Sequence, residues 1–322
     1  MRLQLSLFGI GLLAIIGVWL TSCTPTSEAL ADRKQRENAE EIQQYITANN
    51  LQVQQLESTG LYYIKTVTAP GNQSAVTGDE VRFFVTSKRL DGTVIDSTDG
   101  INPIAYTFGT NINRSRSVVN GSYLYTSITQ GMLAGIIVGR EGERLTLLVP
   151  SYYDTGRYGS LLLPQYSPIL YDMRIVSVRT EDEQIRDYIA ANKIMVTDTA
   201  AGGIRIAKTL ARPDSALIKA GETATIRYTG RLLNGTQFDT NVPTAAAIAS
   251  DPSSVTAGYD VTVGQTAVVA GWTTGLQQVR RGEKFLLIFP SSQGYGSTGA
   301  PNSTVIGPFK PLAFEMEILR VK

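Results

Sequence analysis

Apolar and polar residues alternate strictly in two segments, one near the end of each of two similar halves of the chain. Residues 314–318 place apolar side chains between glutamates, and residues 171–175 place them between charged residues. A period of two indicates a strand with one buried and one wet face, as in an antiparallel sheet. Shorter strands are predicted at residues 60–64, 81–85, 203–206 and 223–228.

Each half opens with a short amphipathic helix. In the second half Ile185, Tyr188 and Ile189 stand at helical spacing, and Thr180 with Glu183 forms a capping-box pattern. The first half repeats the apolar stripe, and an asparagine ends each helix: Ile42, Tyr45, Ile46, Asn49 and Asn192. Apolar segments between glycines, residues 133–138 and 273–279, predict a short helix laid on each sheet. The predicted fold class is therefore α+β, built twice.

The two halves are copies of one unit. Gly78 matches Gly221 at an offset of 143 residues (221 minus 78), and the same offset carries Ile42 onto Ile185. A period this long indicates tandem domains rather than a solenoid. The predicted organisation is a leader at 1–22, a flexible or partly helical tether at 23–38, a first domain at 39–179 and a second domain at 180–322.

Composition removes several classes of chemistry. The 322 residues carry a net charge of +1, so nucleic-acid binding has no electrostatic support. The chain has no histidine and a single cysteine, which excludes imidazole-based catalysis, histidine-ligated metal sites and disulfides within the chain. We expect neither a metal nor a cofactor, and no feature predicts an oligomeric state.

The N-terminus combines a short apolar run with the single cysteine of the chain. Arg2 precedes an apolar run at 5–20, interrupted by Ser6, which has the length of a signal-peptide core. Residues 20–23 resemble the lipobox. In that resemblance Cys23 is S-acylated with diacylglycerol, the leader is cut before it, and the new N-terminus is acylated. The alternative is an uncleaved anchor helix with an incidental cysteine. The lipobox resemblance implies a lipid anchor in a bacterial membrane, and Thr24 favours the outer membrane facing the periplasm.

Aromatic residues distinguish the two copies. The second carries Tyr228, Phe238-Asp239, Trp272, Tyr295 and Phe314, whereas the first has Val85, Ile95-Asp96, Met132 and Tyr171 at the matching places, with no clear counterpart of Tyr295. Copying a fold preserves packing in both copies. Aromatics kept in only one copy therefore indicate a role beyond the core, although single aromatics on alternating strands are usually core residues.

The order of residues in the second copy resembles that of the FKBP-type peptidyl-prolyl isomerases over residues 221–321. The motifs that carry the resemblance are Tyr228-Thr229-Gly230, Asn234-Gly235, Phe238-Asp239, Val263-Gly264, Gly271-Trp272, Gly282-Glu283, Gly294-Tyr295-Gly296 and Leu312-Ala313-Phe314. The first copy resembles the same family by its glycines and strands only. The resemblance implies two FKBP-like domains, of which the first is degenerate.

The resemblance also implies roles for individual residues. The catalytic set is Asp239, whose carboxylate lies beside the rotating bond, Tyr295, whose hydroxyl bonds a substrate carbonyl, and Phe238. Trp272 is the implied floor, and the backbone N–H of Val269 is a second donor. The implied walls and lip of the substrate pocket are Tyr228, Tyr259, Val268, Val269, Phe314, Val305 and Ile306. Insertions at 241–257 and near 299–306 depart from the family pattern and flank the implied cleft.

This chemistry suits a chain without histidine. Rotation about a peptide bond has a barrier of about 18–20 kcal/mol because of C–N double-bond character, and X-Pro isomers exchange slowly. The twisted transition state has lost amide resonance, so a dry aromatic slot favours it and no proton must move. The expected partners are proline-containing polypeptides. A non-catalytic chaperone or scaffold is the alternative, and the first domain is expected to be inactive, either as a binding module or as a spacer.

Overall fold

The structure of the chain is a computed structural model that describes residues 28–98, 100–110, 116–119, 122–125, 128–250 and 258–322. The predicted leader at 1–22 and the lipidation site Cys23 lie outside the described residues. So do residues 251–257 of the insertion at 241–257 and, in the first domain, residues 111–115, 120–121 and 126–127.

The first domain is an antiparallel sheet with a helix on each face. Its elements are α1 (Leu30–Ala48), β1 (Gln54–Leu56), β2 (Leu61–Val67), β3 (Glu80–Lys88), β4 (Val94–Ser97), β5 (Ile104–Thr107), β6 (Arg116–Val119), β7 (Ser122–Tyr125), α2 (Gln130–Val138), β8 (Arg144–Val149) and β9 (Ile169–Arg179). Among the described residues the sheet order is β1-β2-β8-β9-β3-β4, with β5 paired to β3, and β6 and β7 form a separate hairpin.

The second domain repeats this topology strand for strand. Its elements are α3 (Glu181–Ala191), β10 (Asp198–Ala200), β11 (Ile204–Leu210), β12 (Thr223–Leu232), β13 (Gln237–Thr240), α4 (Ala245–Ser250), β14 (Tyr259–Thr262), α5 (Ala270–Leu276), β15 (Lys284–Phe289) and β16 (Leu312–Val321). The described strands run β10-β11-β15-β16-β12-β13, with β14 paired to β12. Both copies also have a register shift at the same place, Arg82/Phe83 and Thr225/Ile226. The predicted α+β fold, built twice, is confirmed.

Alternation on the last strand matches burial. Phe314, Met316 and Ile318 are buried in the core of the second domain, between the sheet and α5, while Glu315 is exposed. The period of two predicts that the opposite face of the strand is exposed to solvent, but part of that face is covered. Ile185 of α3 packs there against Ile288 and Ala313, which are also buried. The apolar stripe of the helix thus finds its partner on the outer face of the sheet.

The short helices begin three residues earlier than the sequence suggested. In the first domain Thr129 accepts a hydrogen bond from the N–H of Met132, which caps α2 at that point. Glycine then lies in the first turn of each helix because the helix approaches the sheet closely. A Cβ on Gly131 would stand 2.6 Å from the Tyr171 ring, and one on Gly271 would stand 2.7 Å from Phe289.

The segment predicted as a tether at 23–38 belongs partly to the fold. Helix α1 begins at Leu30, since this polar stretch is supported by an i,i+4 ion pair between Arg33 and Glu37 rather than by an apolar stripe. Asn38 is buried, donates to the carbonyl of Tyr166 at 2.8 Å and accepts from the N–H of Ser151 at 2.8 Å. Asn38, at the end of the segment predicted as a flexible or partly helical tether, therefore packs against the first domain.

The two domains join without a linker. Strand β9 ends at Arg179 and α3 begins at Glu181, so only Thr180 lies between them. Thr180 accepts from the N–H of Glu183, and the Glu183 carboxylate accepts from the N–H of Thr180, which is the predicted capping box. A strand that runs straight into a capped helix leaves little freedom at the junction.

Candidate functional site

A cleft of about 730 Å³ opens between α5 and the sheet of the second domain. Every pocket residue predicted from the sequence lines it: Tyr228, Phe238, Asp239, Tyr259, Val268, Val269, Trp272, Tyr295, Val305, Ile306 and Phe314. Sequence reasoning missed five small lining residues: Ala267, Ala270, Gly294, Ala300 and Ser303. Small residues give no pattern of their own, and their contribution is to leave space between the aromatic side chains.

Trp272 forms the base of the cleft. It lies in the first turn of α5 and is only 4% exposed. Its ring meets the edge of Tyr228 at 4.8 Å and the edge of Phe314 at 5.2 Å between centroids, the edge-to-face geometry that aromatic pairs prefer. Within the described chain its indole N–H is buried without a hydrogen-bond partner.

Phe314 connects the cleft to the core. It stacks on the buried Phe289 at 5.7 Å and meets Phe238 edge-to-face at 5.5 Å. Phe238 can lie across β12 only because residue 230 is glycine, as a Cβ at Gly230 would stand 2.5 Å from the Phe238 ring. The wall is therefore continuous with the hydrophobic core, which fixes the orientation of its rings.

Asp239 is held by Tyr228 across β12 and β13. The Tyr228 hydroxyl donates to the Asp239 carboxylate at 2.7 Å. Burial raises the pKa of Tyr228 far above its usual range, and the hydrogen bond to Asp239 raises it further. Tyr228 therefore stays protonated at any physiological pH and acts as the donor that orients the carboxylate.

Two further donors belong to the cleft. Burial, and then the charge of Asp239, raise the pKa of Tyr295, so that its hydroxyl stays protonated. Among the described residues, neither the Tyr295 hydroxyl nor the backbone N–H of Val269 donates to another group of the chain. The arrangement offers an apolar slot with unpaired donors, which suits an apolar ligand that carries carbonyl oxygens.

Residues 299–311, which we call the lip loop, border the cleft. Ile306 is 5% exposed and Val305 is 38% exposed. Their N–H groups both donate to the Ser303 hydroxyl, at 3.0 and 3.1 Å, which makes the loop compact. Tyr259 of β14, also a cleft residue, is 43% exposed.

The first residue of the long insertion, Asn241, binds the backbone of β12. The Asn241 side chain accepts from the N–H of Tyr228 at 2.7 Å and donates to the carbonyl of Ile226 at 2.9 Å. It fixes the edge of β12 next to the cleft. Helix α4 follows within the same insertion.

In the first domain polar side chains fill the corresponding space. Asp154, which matches Gly294, accepts from the Tyr171 hydroxyl at 3.0 Å and from the N–H of Gly131 at 2.8 Å. Thr129, which matches Val269, donates to the Tyr171 hydroxyl at 3.1 Å. Burial, with the charge of Asp154, raises the pKa of Tyr171 well above its usual range, so the Tyr171 hydroxyl stays protonated. The retained Asp96 lies at the matching edge without a tyrosine like Tyr228, since that position is Val85.

The fold and cleft define an FKBP-like domain, and comparison with known proteins agrees. A family profile described as FKBP-type peptidyl-prolyl cis-trans isomerase matches residues 215–319. An FK506-binding protein of Neisseria meningitidis serogroup A is 40% identical over 101 residues, which cover 31% of this chain and 81% of that protein. FK506-binding protein 1 of Candida glabrata is 30% identical over 126 residues, 39% of this chain and 99% of that protein. This chain belongs to the FKBP-type peptidyl-prolyl cis-trans isomerase family.

A longer similarity covers both domains. Peptidyl-prolyl cis-trans isomerase FKBP9 of Mus musculus is 26% identical over 249 residues, which make up 76% of this chain and 35% of that protein. The match extends beyond one domain, in keeping with the tandem architecture. The chain spans about a third of the length of these FKBP9 relatives.

Proposed function

We propose that the second domain catalyses cis–trans isomerisation of X-Pro bonds in polypeptide substrates. The observation that carries the proposal is an aromatic cleft whose Tyr295 hydroxyl and Val269 N–H are unpaired within the described chain. A proline ring fits an apolar slot over Trp272, and the carbonyl oxygens that flank it need donors. A carboxylate held by Tyr228 completes the polar edge.

Catalysis follows from differential binding. The planar ground state has the larger dipole, whereas the twisted state has lost resonance, so transfer into the aromatic slot favours the twisted state. In our proposal Tyr295 and Val269 donate to carbonyl oxygens and hold the chain on either side of the rotating bond. Asp239 lies beside that bond with its orientation set by Tyr228. No covalent bond is broken, and no general acid or base is required.

We propose that activity is confined to the second domain. The support is the network of Tyr171, Asp154 and Thr129, which occupies in the first domain the space that the second leaves open. A proline ring would have to displace a buried, hydrogen-bonded carboxylate there, and such a group is costly to leave unpaired.

A protease-coupled proline-peptide assay tests both statements. A soluble fragment should begin at Glu28, since starting later would cut into α1. We expect Asp239→Leu combined with Phe238→Tyr to lower kcat/KM at least about 100-fold, because it removes the carboxylate and adds a hydroxyl to the slot. The matched change Asp96→Leu in the first domain should leave the rate unchanged. A folded wild-type fragment without activity above background would favour the non-catalytic chaperone reading, whereas loss of activity in Asp96→Leu would place the competent site in the first domain.

We further propose that the protein is a lipoprotein of a bacterial membrane, facing the periplasm, where it assists folding of exported, proline-containing proteins. The support is the lipobox-like sequence that ends at Cys23. None of the helices in the described part of the chain is long and apolar enough to cross a membrane. Several acyl chains, at about 0.8 kcal/mol per buried methylene, would give stable anchoring. Incorporation of a fatty-acid analogue, and its loss in Cys23→Ser, tests the anchor, and equal labelling of both chains contradicts it.

A further inference from the structure

The first domain touches the second at the loop that borders the cleft. This contact is separate from the cleft chemistry, and it involves two adjacent residues of the lip loop, Phe309 and Lys310. Both lie within four residues of Ile306, which lines the cleft. They also lie directly before β16, which carries the cleft residue Phe314.

Lys310 makes the polar contact. Its ammonium donates to the hydroxyl of Thr107, the last residue of β5 in the first domain, at 2.8 Å. Burial lowers the pKa of Lys310, against the opposing charges of Glu80 and Glu181. Lys310 is partly buried, so its ammonium lies in the seam between the domains, where a charge-assisted hydrogen bond is stronger than on the open surface.

Phe309 makes the apolar contact. Its ring lies over Gly78 of the first domain so closely that a Cβ at Gly78 would stand 3.1 Å from ring carbon Cδ1. The backbone of Phe309 is fixed from within its own domain, because its N–H donates to the carbonyl of Gly296 at 2.9 Å, one residue beyond Tyr295. Tyr166, which matches Phe309 in the first domain, has the same left-handed backbone, so this conformation is a property of the fold. What is specific to Phe309 is the use of its side chain across the seam.

The two contacts rest on one stiff surface. The N–H of Gly78 donates to the carbonyl of Phe108 at 2.9 Å, and the N–H of Phe108 donates to the carbonyl of Asp79 at 2.8 Å. The Asp79 carboxylate in turn accepts from the N–H of Val76 at 2.8 Å. These hydrogen bonds connect the Gly78 turn to the end of β5 at Thr107, so both contacts with the second domain lie on one hydrogen-bonded surface.

The lip loop can transmit the contact to the cleft. Ile306 accepts from the N–H of Ala300 at 3.0 Å, which closes the loop at its base. Pro308 and Pro311 flank the contacting pair, and proline restricts the backbone between contact and cleft. Within the second domain, Glu181 of α3 accepts from the Ser291 N–H and hydroxyl at 2.5 and 2.7 Å, which ties the start of α3 to the segment that leads to Tyr295.

We propose that the first domain is a positioning element for the isomerase cleft: Thr107 and Gly78 hold Lys310 and Phe309, and thereby set the position of the lip loop. The proposal rests on the proposed function of the cleft. It gives the first domain a role other than client binding or spacing. None of these four residues is a catalytic residue, because none of them touches the cleft.

Amide hydrogen exchange of the full chain, followed by mass spectrometry, tests the proposal without reference to catalysis. We expect Thr107→Val to speed exchange of the lip loop amides, including those of Ala300 and Phe309, on the order of three- to tenfold, as local opening becomes easier. Lys310→Met should have the same effect, whereas Lys310→Arg, which keeps a charged donor, should restore slow exchange. Because Thr107 and Lys310 act as one pair, the double variant should be no worse than either single one.

The matched control is Thr146→Val. This change also removes a 2.8 Å hydrogen bond made by the hydroxyl of a first-domain threonine. Thr146 donates to Asp172, away from the seam, whereas Thr107 accepts from Lys310. We expect it to leave exchange in the lip loop unchanged. Equal effects of Thr107→Val and Thr146→Val would mean general loosening of the first domain and would overturn the proposal, as would unchanged exchange in Thr107→Val at an unchanged Tm.

Kinetics provide the second readout. With the wild-type chain active, we expect Thr107→Val to raise KM for a proline peptide about three- to tenfold with kcat within about a factor of two, since the lip contributes binding rather than chemistry. An inactive wild-type chain would refute the proposed function, while hydrogen exchange would still decide the role of the first domain. A fall in kcat at constant KM would contradict a lip effect.

Discussion

Replacing Tyr228 by phenylalanine removes the one side-chain hydrogen bond that the proposed catalytic carboxylate accepts from the described residues. The ring remains, so the edge-to-face contact with Trp272 at 4.8 Å and the tilted contact with Phe314 at 6.3 Å can persist. Only the hydroxyl that donates to Asp239 at 2.7 Å is lost. The change therefore tests whether the orientation of Asp239 matters, separately from the shape of the cleft.

The size of the effect follows from exposure. A hydrogen bond to a charged group contributes about 1.5–3 kcal/mol when it is well shielded. Asp239 is exposed, and solvent screening reduces such contributions, so we take about 1 kcal/mol. With about 1.4 kcal/mol for each factor of ten, Tyr228→Phe should lower kcat/KM roughly fivefold. Most of the loss should appear in kcat, since the bond orients a group beside the rotating bond.

A double-mutant cycle with Asp239→Leu, which leaves no acceptor for the Tyr228 hydroxyl, makes the test decisive. If Tyr228 acts through the carboxylate, its removal should cost little once the carboxylate is gone, so the two losses should not add. The same protease-coupled assay gives all four kcat/KM values, and circular dichroism checks that each variant is folded. Full additivity, or a Tyr228→Phe chain as active as the wild type, would refute the view that Tyr228 orients Asp239.

Two other predictions concern stability and use urea unfolding. Phe314→Ala should destabilise the second domain by about 3–5 kcal/mol, because a buried ring is lost where the cleft meets the core. If the first domain unfolds in a separate step, the urea midpoint of that step should not change. Glu143 is buried, and although burial favours its neutral form, hydrogen bonds from Lys65 and two backbone N–H groups lower its pKa. A lowered folded pKa means that the stabilisation is present above the unfolded pKa and is lost as pH falls through the folded value. Glu143→Gln should therefore lower the free energy of unfolding by about 2 kcal/mol at pH 7, and should make that free energy fall less steeply as the pH is lowered. An unchanged fall at acidic pH would contradict this role of Glu143.

The sequence was sufficient for the cleft because each of its large residues has a family counterpart in fixed order. The sequence was insufficient where the role of a residue depends on a contact that the pattern of apolar and polar residues does not reveal. Asp154 is one case. The residues next to it in the sequence do not indicate that its side chain, at the position that matches Gly294, accepts a hydrogen bond from Tyr171. The start of α1 is another, because charge pairing on a polar helix has no apolar period.

The contacts between domains were the least predictable feature, and they bear most on why the first domain is retained. Asp154 occupies the position that matches Gly294 of the cleft, and the separate surface at Thr107 and Gly78 is contacted by Lys310 and Phe309 of the second domain. The partly buried Lys310 donates to Thr107 across the domain border, and Phe309 packs over Gly78. These two contacts favour a first domain that supports the cleft of the second over one that serves only as a spacer.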